Sequence, residues 1–182
     1  MRKTLTFGLA IGLMLGAVSG VRAEPAIDEP HDVAFASAGL GAGSNGLGGV
    51  LSLGFSRHGV FYGLRTATTT EFEIFGPTPA LNDTDYAFLV GKFSGRRHSF
   101  TSAAAGIAVV HSVRRGAQIE APYWFFGGTH ERIDRVTVGL PLDLRATANL
   151  VGVGVGVNLF ANLNPAGSFA GLALTLQVGK LR

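Results

Sequence analysis

The chain has no cysteine, one tryptophan and two methionines, and after its first two dozen residues it has no apolar run near 18 residues long. Each absence excludes something. Without cysteine there is no disulfide framework and no thiolate chemistry. Without a long apolar run there is no second candidate for a membrane-crossing helix, which needs about 20 such residues. Charge is scarce too. Asp, Glu, Lys and Arg make up 15% of the chain, against about 25% in a soluble domain.

What is present points one way. Hydrophobic residues reach 47% and glycines number 27 of 182, the latter about twice usual usage. The first 23 residues read as a cleavable secretory signal. Arg2 and Lys3 give a positive start, Leu5 to Ala17 an apolar stretch too short and poorly flanked to span a bilayer, and Val21-Arg22-Ala23 a cleavage site ahead of Glu24. No cysteine follows, so this is not a lipoprotein signal. Three of the fifteen basic residues (Arg2, Lys3, Arg22) and none of the twelve acids lie in it. The remainder is balanced at twelve of each, so the basic character of the whole chain is no argument for nucleic-acid binding. An exported, apolar chain without spanning helices must satisfy its backbone between strands that close on themselves.

After a polar lead-in, residues 24–31, eight strand-like runs alternate with turn signals over residues 32–182. They fall at about 32–41, 48–57, 60–74, 85–94, 99–114, 133–146, 150–162 and 168–180. Asn45-Gly46 predicts a type I′ hairpin turn. Alternation is sharpest in the last three runs. Val136, Val138, Leu140, Leu142 and Leu144 oppose Arg135, Thr137, Gly139, Pro141, Asp143 and Arg145. Val151 to Leu159 alternate with Gly152, Gly154, Gly156 and Asn158, and Leu172 to Val178 alternate with Ala173, Thr175 and Gln177. Strands half in lipid and half in a lumen must switch face at every residue, and a helical period would not produce this. Most runs reach 10 to 16 residues, enough for tilted strands to cross a bilayer. Connections two, four and six are short, and the third (75–84) and fifth (115–132) are the longest. Short inner turns with longer outer loops suit an outer-membrane barrel.

On the signal at Met1 to Ala23, the eight runs and the alternating faces from Arg135 to Lys180, the chain resembles the small bacterial outer-membrane barrels of the OmpA-like and OmpX-like type. The resemblance is of pattern, and it covers essentially the mature chain. It implies an all-β, eight-stranded antiparallel up-and-down transmembrane β-barrel in the outer membrane of a Gram-negative bacterium. Its implied partners are outer-membrane lipids, lipopolysaccharide and the barrel assembly machinery, with no nucleic acid, as a monomer. Such barrels include adhesins, membrane-stabilising proteins and a few lipid-modifying enzymes, so the scaffold does not name the job. The chain departs from the pattern in ending on Leu181-Arg182 where such barrels usually end on an aromatic residue, and Pro141 predicts a bulge on the lumen side.

Candidate site residues follow from the expected faces. Arg65, Glu71, Glu73, Arg135, Asp143 and Arg145 point inward and form a lumen charge network, read as structural, with a narrow ion path as the functional alternative. Small inward residues leave open a pocket for an acyl chain. In the fifth connection Tyr123, Trp124, Phe125 and Phe126, with Arg115 and Arg132, form either an aromatic girdle or a contact surface for a ligand or protein. Asn82, Asp83 and Asp85 read as a polar turn rather than a calcium loop. Arg96, Arg97 and His98 form an inner turn. His111 and Ser112 are neighbours on a strand and face opposite sides, so they make no dyad, while His130-Glu131 can approach His111 or Asp134. No G-x-S-x-G and no lipid A deacylase signature is present. The expectation is a non-enzymatic structural or surface-recognition barrel with no catalytic residue, metal or cofactor. The alternatives are a lipid-modifying barrel enzyme, or a soluble exported lipid-binding barrel whose Leu and Val faces would point inward.

Overall fold

A computed structural model describes residues 32–72, 75–96, 98–124, 127–150 and 152–181. The expected signal and lead-in, residues 1–31, lie outside the described residues, as do Glu73, Arg97, Phe125 and Phe126. Eight antiparallel strands form one closed barrel in chain order: β1 (Val33–Gly43), β2 (Gly46–Arg57), β3 (Val60–Thr70), β4 (Asn82–Arg96), β5 (Ser99–Glu120), β6 (Thr129–Leu150), β7 (Val153–Leu163) and β8 (Phe169–Lys180). β1 pairs with both β2 and β8, which abolishes the sheet edge.

The closure is staggered. Ladder partners followed from Leu40 through Gly49, Thr68, Thr84 and His111 arrive at Val136. Followed the other way, through Leu174 and Val157, they arrive at Ala146. The two routes differ by ten residues, the shear that sets a strand tilt of about 40°.

The alternation read in the sequence is the alternation of the wall. Leu51, Leu64, Phe88, Ile107, Val138 and Leu174 are typical of an outward belt of exposed apolar side chains. Inward stand Ser, Thr, Asn, Gly, Ala and phenylalanine, most of them buried. This is the reverse of a soluble barrel with an apolar interior, so that alternative is corrected: the Leu and Val faces point out. Glycine in the lumen makes room for rings. A methyl group at Gly54 would strike the Phe35 ring, at Gly63 the Phe61 ring and at Gly171 the Phe160 ring. Phe rings therefore occupy the space that a Gly-rich lumen leaves. At the end carrying the short turns, Phe100 lies against Phe35 and Phe93 in tilted pairs at centroid distances of 5.4 and 5.2 Å, and Leu181 is buried in the same apolar cluster. The chain's last described residue thus fills the base of the lumen, with Asn149 Nδ2 donating to its carbonyl at 3.0 Å.

Four local expectations are corrected. The turn between β1 and β2 centres on Ser44 and Asn45, and only Gly46 has positive φ there; the pair of positive φ angles of a type I′ turn occurs instead at His58 (50°) and Gly59 (78°). Pro141 produces no bulge. The β5–β6 ladder skips the positions opposite Leu140 and Pro141 and resumes in the same register, since Pro has no N–H to give. β4 begins at Asn82, so Asp83 and Asp85 are strand residues and not a turn. Most of the expected fifth connection is strand. β5 and β6 pair as far as Glu120 and Thr129, with register shifts near Gln118, and leave only 121–128 as the turn. Both faces of that extension meet solvent, so no hydrophobic alternation marks it as strand.

Candidate functional site

The lumen holds three arginines and three aspartates among the described residues, all supplied by inward positions of β3 to β6. Arg65 is central. Its Nη2 meets Asp85 at 2.5 Å and its Nη1 meets Asp143 at 3.3 Å, with both partners fully buried. Asn162 and Asn158 donate to the same two carboxylates at 2.9 Å each. Arg145 donates to Ser52 Oγ at 2.7 Å, stands 3.8 Å from Asp143 and lies over the Phe35 ring at 4.9 Å. Nearer the long loops, Asp83 accepts from Ser112 Oγ at 2.6 Å, from Arg114 at 2.7 Å and from Asn45 at 2.7 Å. Ions buried in this way persist only when paired and hydrogen-bonded.

Of the residues expected in this network, Arg65, Asp143 and Arg145 meet. Glu71 does not join them. It lies past the end of β3 and pairs with Arg115. Arg135 occupies an inward row, but opposite Ser112 near the mouth, and is exposed. Sequence reasoning missed Asp83, Asp85, Arg114, Asn158 and Asn162. The signal was there for Asp83 and Asp85, two residues apart on one face, but the expected turn hid it.

The two long connections dock on each other at the other end. Arg115 donates to the carbonyls of Pro79 (3.0 Å) and Pro77 (2.9 Å) besides pairing with Glu71. Thr78 N donates to Gly128 O at 3.1 Å, His130 N to Thr78 O at 2.8 Å and Gly127 N to Phe75 O at 2.7 Å. The result is one platform built from Glu71, residues 75–81 and the described residues of the β5–β6 tip. Phe72, Ile119, Tyr123 and Trp124 are strongly exposed on it, Trp124 at 81%. β5 runs nine residues past His111, which follows the exposed Ile107 and Val109 of its outward row. At about 3.3 Å per residue and a tilt of about 40°, that carries the tip roughly 20 Å beyond the apolar belt.

His111 Nε2 lies 3.3 Å from Asp134 at the edge of the belt, and Arg132 holds Asp134 by two contacts of 2.8 and 3.0 Å. The expected approach to Asp134 is thus made by His111, while His130 lies opposite Gln118. Among the described residues neither neighbouring hydroxyl completes the pair. Ser112 points inward to Asp83, and Thr84, the cross-strand partner of His111, engages Thr68 and Asn82. Among the described residues no group of three His, Cys, Asp or Glu could hold a metal ion.

No family model matches the chain, and neither does any curated protein. Among solved structures, the crystal structure of Neisserial surface protein A matches with a TM-score of 0.53 at 11% identity, covering 81% of this chain and 95% of that one. The two share a fold and little sequence, and the fold is that of a closed, eight-stranded antiparallel barrel.

Proposed function

We propose that the chain is an outer-membrane β-barrel of surface-recognition type, with both termini at the periplasmic, short-turn end and the loop platform outside. One observation carries it. The outward belt is apolar on every strand, and a braced strand hairpin rises from it bearing exposed Tyr123 and Trp124. Exposed apolar surface on that scale needs lipid to cover it, and Tyr, Trp and Arg are the residues that dominate contact surfaces. Recognition belongs to the platform, since the lumen is filled by side chains. The name of the similar solved structure, a surface protein, agrees with this placement.

The test is fractionation of cells expressing the full chain, with gel mobility compared before and after boiling. A band in the outer-membrane fraction that shifts on boiling is expected. A soluble band that runs as a monodisperse species without detergent would overturn the proposal.

His111 and Asp134 favour a second reading, a lipid-modifying enzyme, by their contact at the belt edge. In that case His111→Ala abolishes hydrolysis of a phospholipid or lipid A substrate in mixed micelles. If the wild-type chain releases no fatty acid in that assay, the enzyme reading ends.

A further inference from the structure

Two outward features coincide on one side of the barrel. The first is a groove of ≈ 800 Å³ in the belt itself. Its trough is Ala36 and Ala38 on β1. The ladder sets Ala36 between Val178 of β8 and Leu53 of β2, and Ala38 between Leu176 and Leu51. Tyr86 and Phe88 of β4 form the far wall. Ser37, Ser52 and Ala87, whose side chains point the other way, contribute to the floor.

The second feature is a row of cations directly below it. Along the outward rows of β8, β2 and β4 toward the short-turn end, the apolar belt stops and a base follows, whereas on β1 Asp32 follows Ala34 and β3 ends at Val60. Val178 is followed by Lys180, Phe55 by Arg57, and Val90 by Lys92. Arg57 and Lys92 are both ladder partners of Val60, which places them on either side of it. All three bases are exposed and none makes an ion pair among the described residues. The corresponding outward positions of β5, β6 and β7 carry Ser99, Thr101, Ala148, Leu150 and Val153, with no base. Asp32 is the one acid at this end among the described residues, and it pairs with none of the three. Tyr62, half-exposed between groove and bases, suits the headgroup level.

We propose that this face is a binding site for an anionic phospholipid of the inner leaflet, its phosphate against Lys180, Arg57 and Lys92 and its acyl chains in the groove over Ala36 and Ala38. The occupant follows from charge complementarity at the mouth and apolar depth above it. A second copy of this chain would set like charges against each other. The inference rests on the membrane reading of the barrel.

The experiment is native mass spectrometry of the full chain released from nanodiscs containing equal phosphatidylcholine and phosphatidylglycerol, with heat-modifiable mobility measured on every sample. Retained lipid should be enriched about tenfold in phosphatidylglycerol, given the attraction of each base near an anionic surface. R57Q/K92Q/K180Q should retain lipid at the bulk ratio. A36F/A38F, which fills the trough, should retain little of either lipid while still shifting on boiling. Inorganic phosphate should not displace the lipid; displacement would assign the bases to a free anion instead. Wild-type retention at the bulk ratio, or undiminished enrichment in the triple variant, would overturn the site while leaving the barrel intact. A chain that never enters the nanodisc or shows no mobility shift would instead overturn the membrane reading.

Discussion

Arg65 reaches from β3 across the lumen to Asp143 on β6 and along the wall to Asp85 on β4. Removing it takes the charge partner from two fully buried carboxylates. Arg65→Ala is expected to cost about 3–5 kcal/mol, the penalty for breaking a buried ion pair from one side, read as a lower urea midpoint by circular dichroism in micelles. Adding D85N and D143N should recover much of that loss, because no uncompensated charge then remains. If the triple variant is no more stable than the single one, the network does not act through charge. The sequence showed Arg65, Asp143 and Arg145 as inward. It could not show what Arg65 meets, since its partners lie 20 and 78 residues away along the chain; Asp85 comes beside it through the β3–β4 ladder, and Asp143 only when the sheet curls round.

At the scale of elements, the strands were legible wherever one face is apolar and the other is not. The last three runs match β6 to β8 in their alternation, and Leu51, Leu53 and Phe55 stand out from β2 as their spacing predicts. The rule fails where its cause fails. Ala117, Gln118, Ile119 and Glu120 all face solvent, so β5 continues through a segment that reads as loop. On β6, Glu131 and Arg132 are likewise exposed, and Thr129 and His130 are half-buried. What braces this extension is Arg115, which sequence reasoning placed in a contact surface and which the structure engages with Glu71, Pro77 and Pro79. Arg115→Ala should loosen the docked loops while leaving the barrel intact. Amides of residues 78, 127 and 130 should exchange about tenfold faster, the equivalent of about one lost hydrogen bond, with the thermal midpoint of the barrel unchanged. Unaltered protection at those amides would mean that the backbone contacts alone hold the platform.

For the whole molecule, the question is whether eight strands enclose a path. Inward side chains just fill a barrel of this size. Here the tilted rings of Phe35, Phe93 and Phe100, with buried Leu181, close one end. The ion pairs of Arg65 and Arg114 occupy the rest. The wild-type protein in a planar bilayer is therefore expected to give no discrete conductance steps, and single-channel recording checks it. Reproducible openings would show that the aromatic cluster moves aside. The barrel and its handing of faces were readable from composition and alternation. The balance of three basic and three acidic groups inside was not, because Asp83 and Asp85 stand on a stretch that reads as a turn and Arg114 at the very end of a strand-like run.

That internal balance has a consequence for how the barrel can be made. Arg145 and Asp143 share a strand, but Asp143 is also held by Arg65 of β3, and Arg145 by Ser52 of β2. In a partly formed sheet Asp143 would keep Asn158 of β7 but lack Arg65, and Arg145 would lack Ser52, at several kcal/mol in hydrocarbon. On the proposed membrane reading, hairpins of this chain do not cross a bilayer one after another as independent pieces. Lateral closure and translocation of the strands must proceed together, with the inward charges meeting before lipid does.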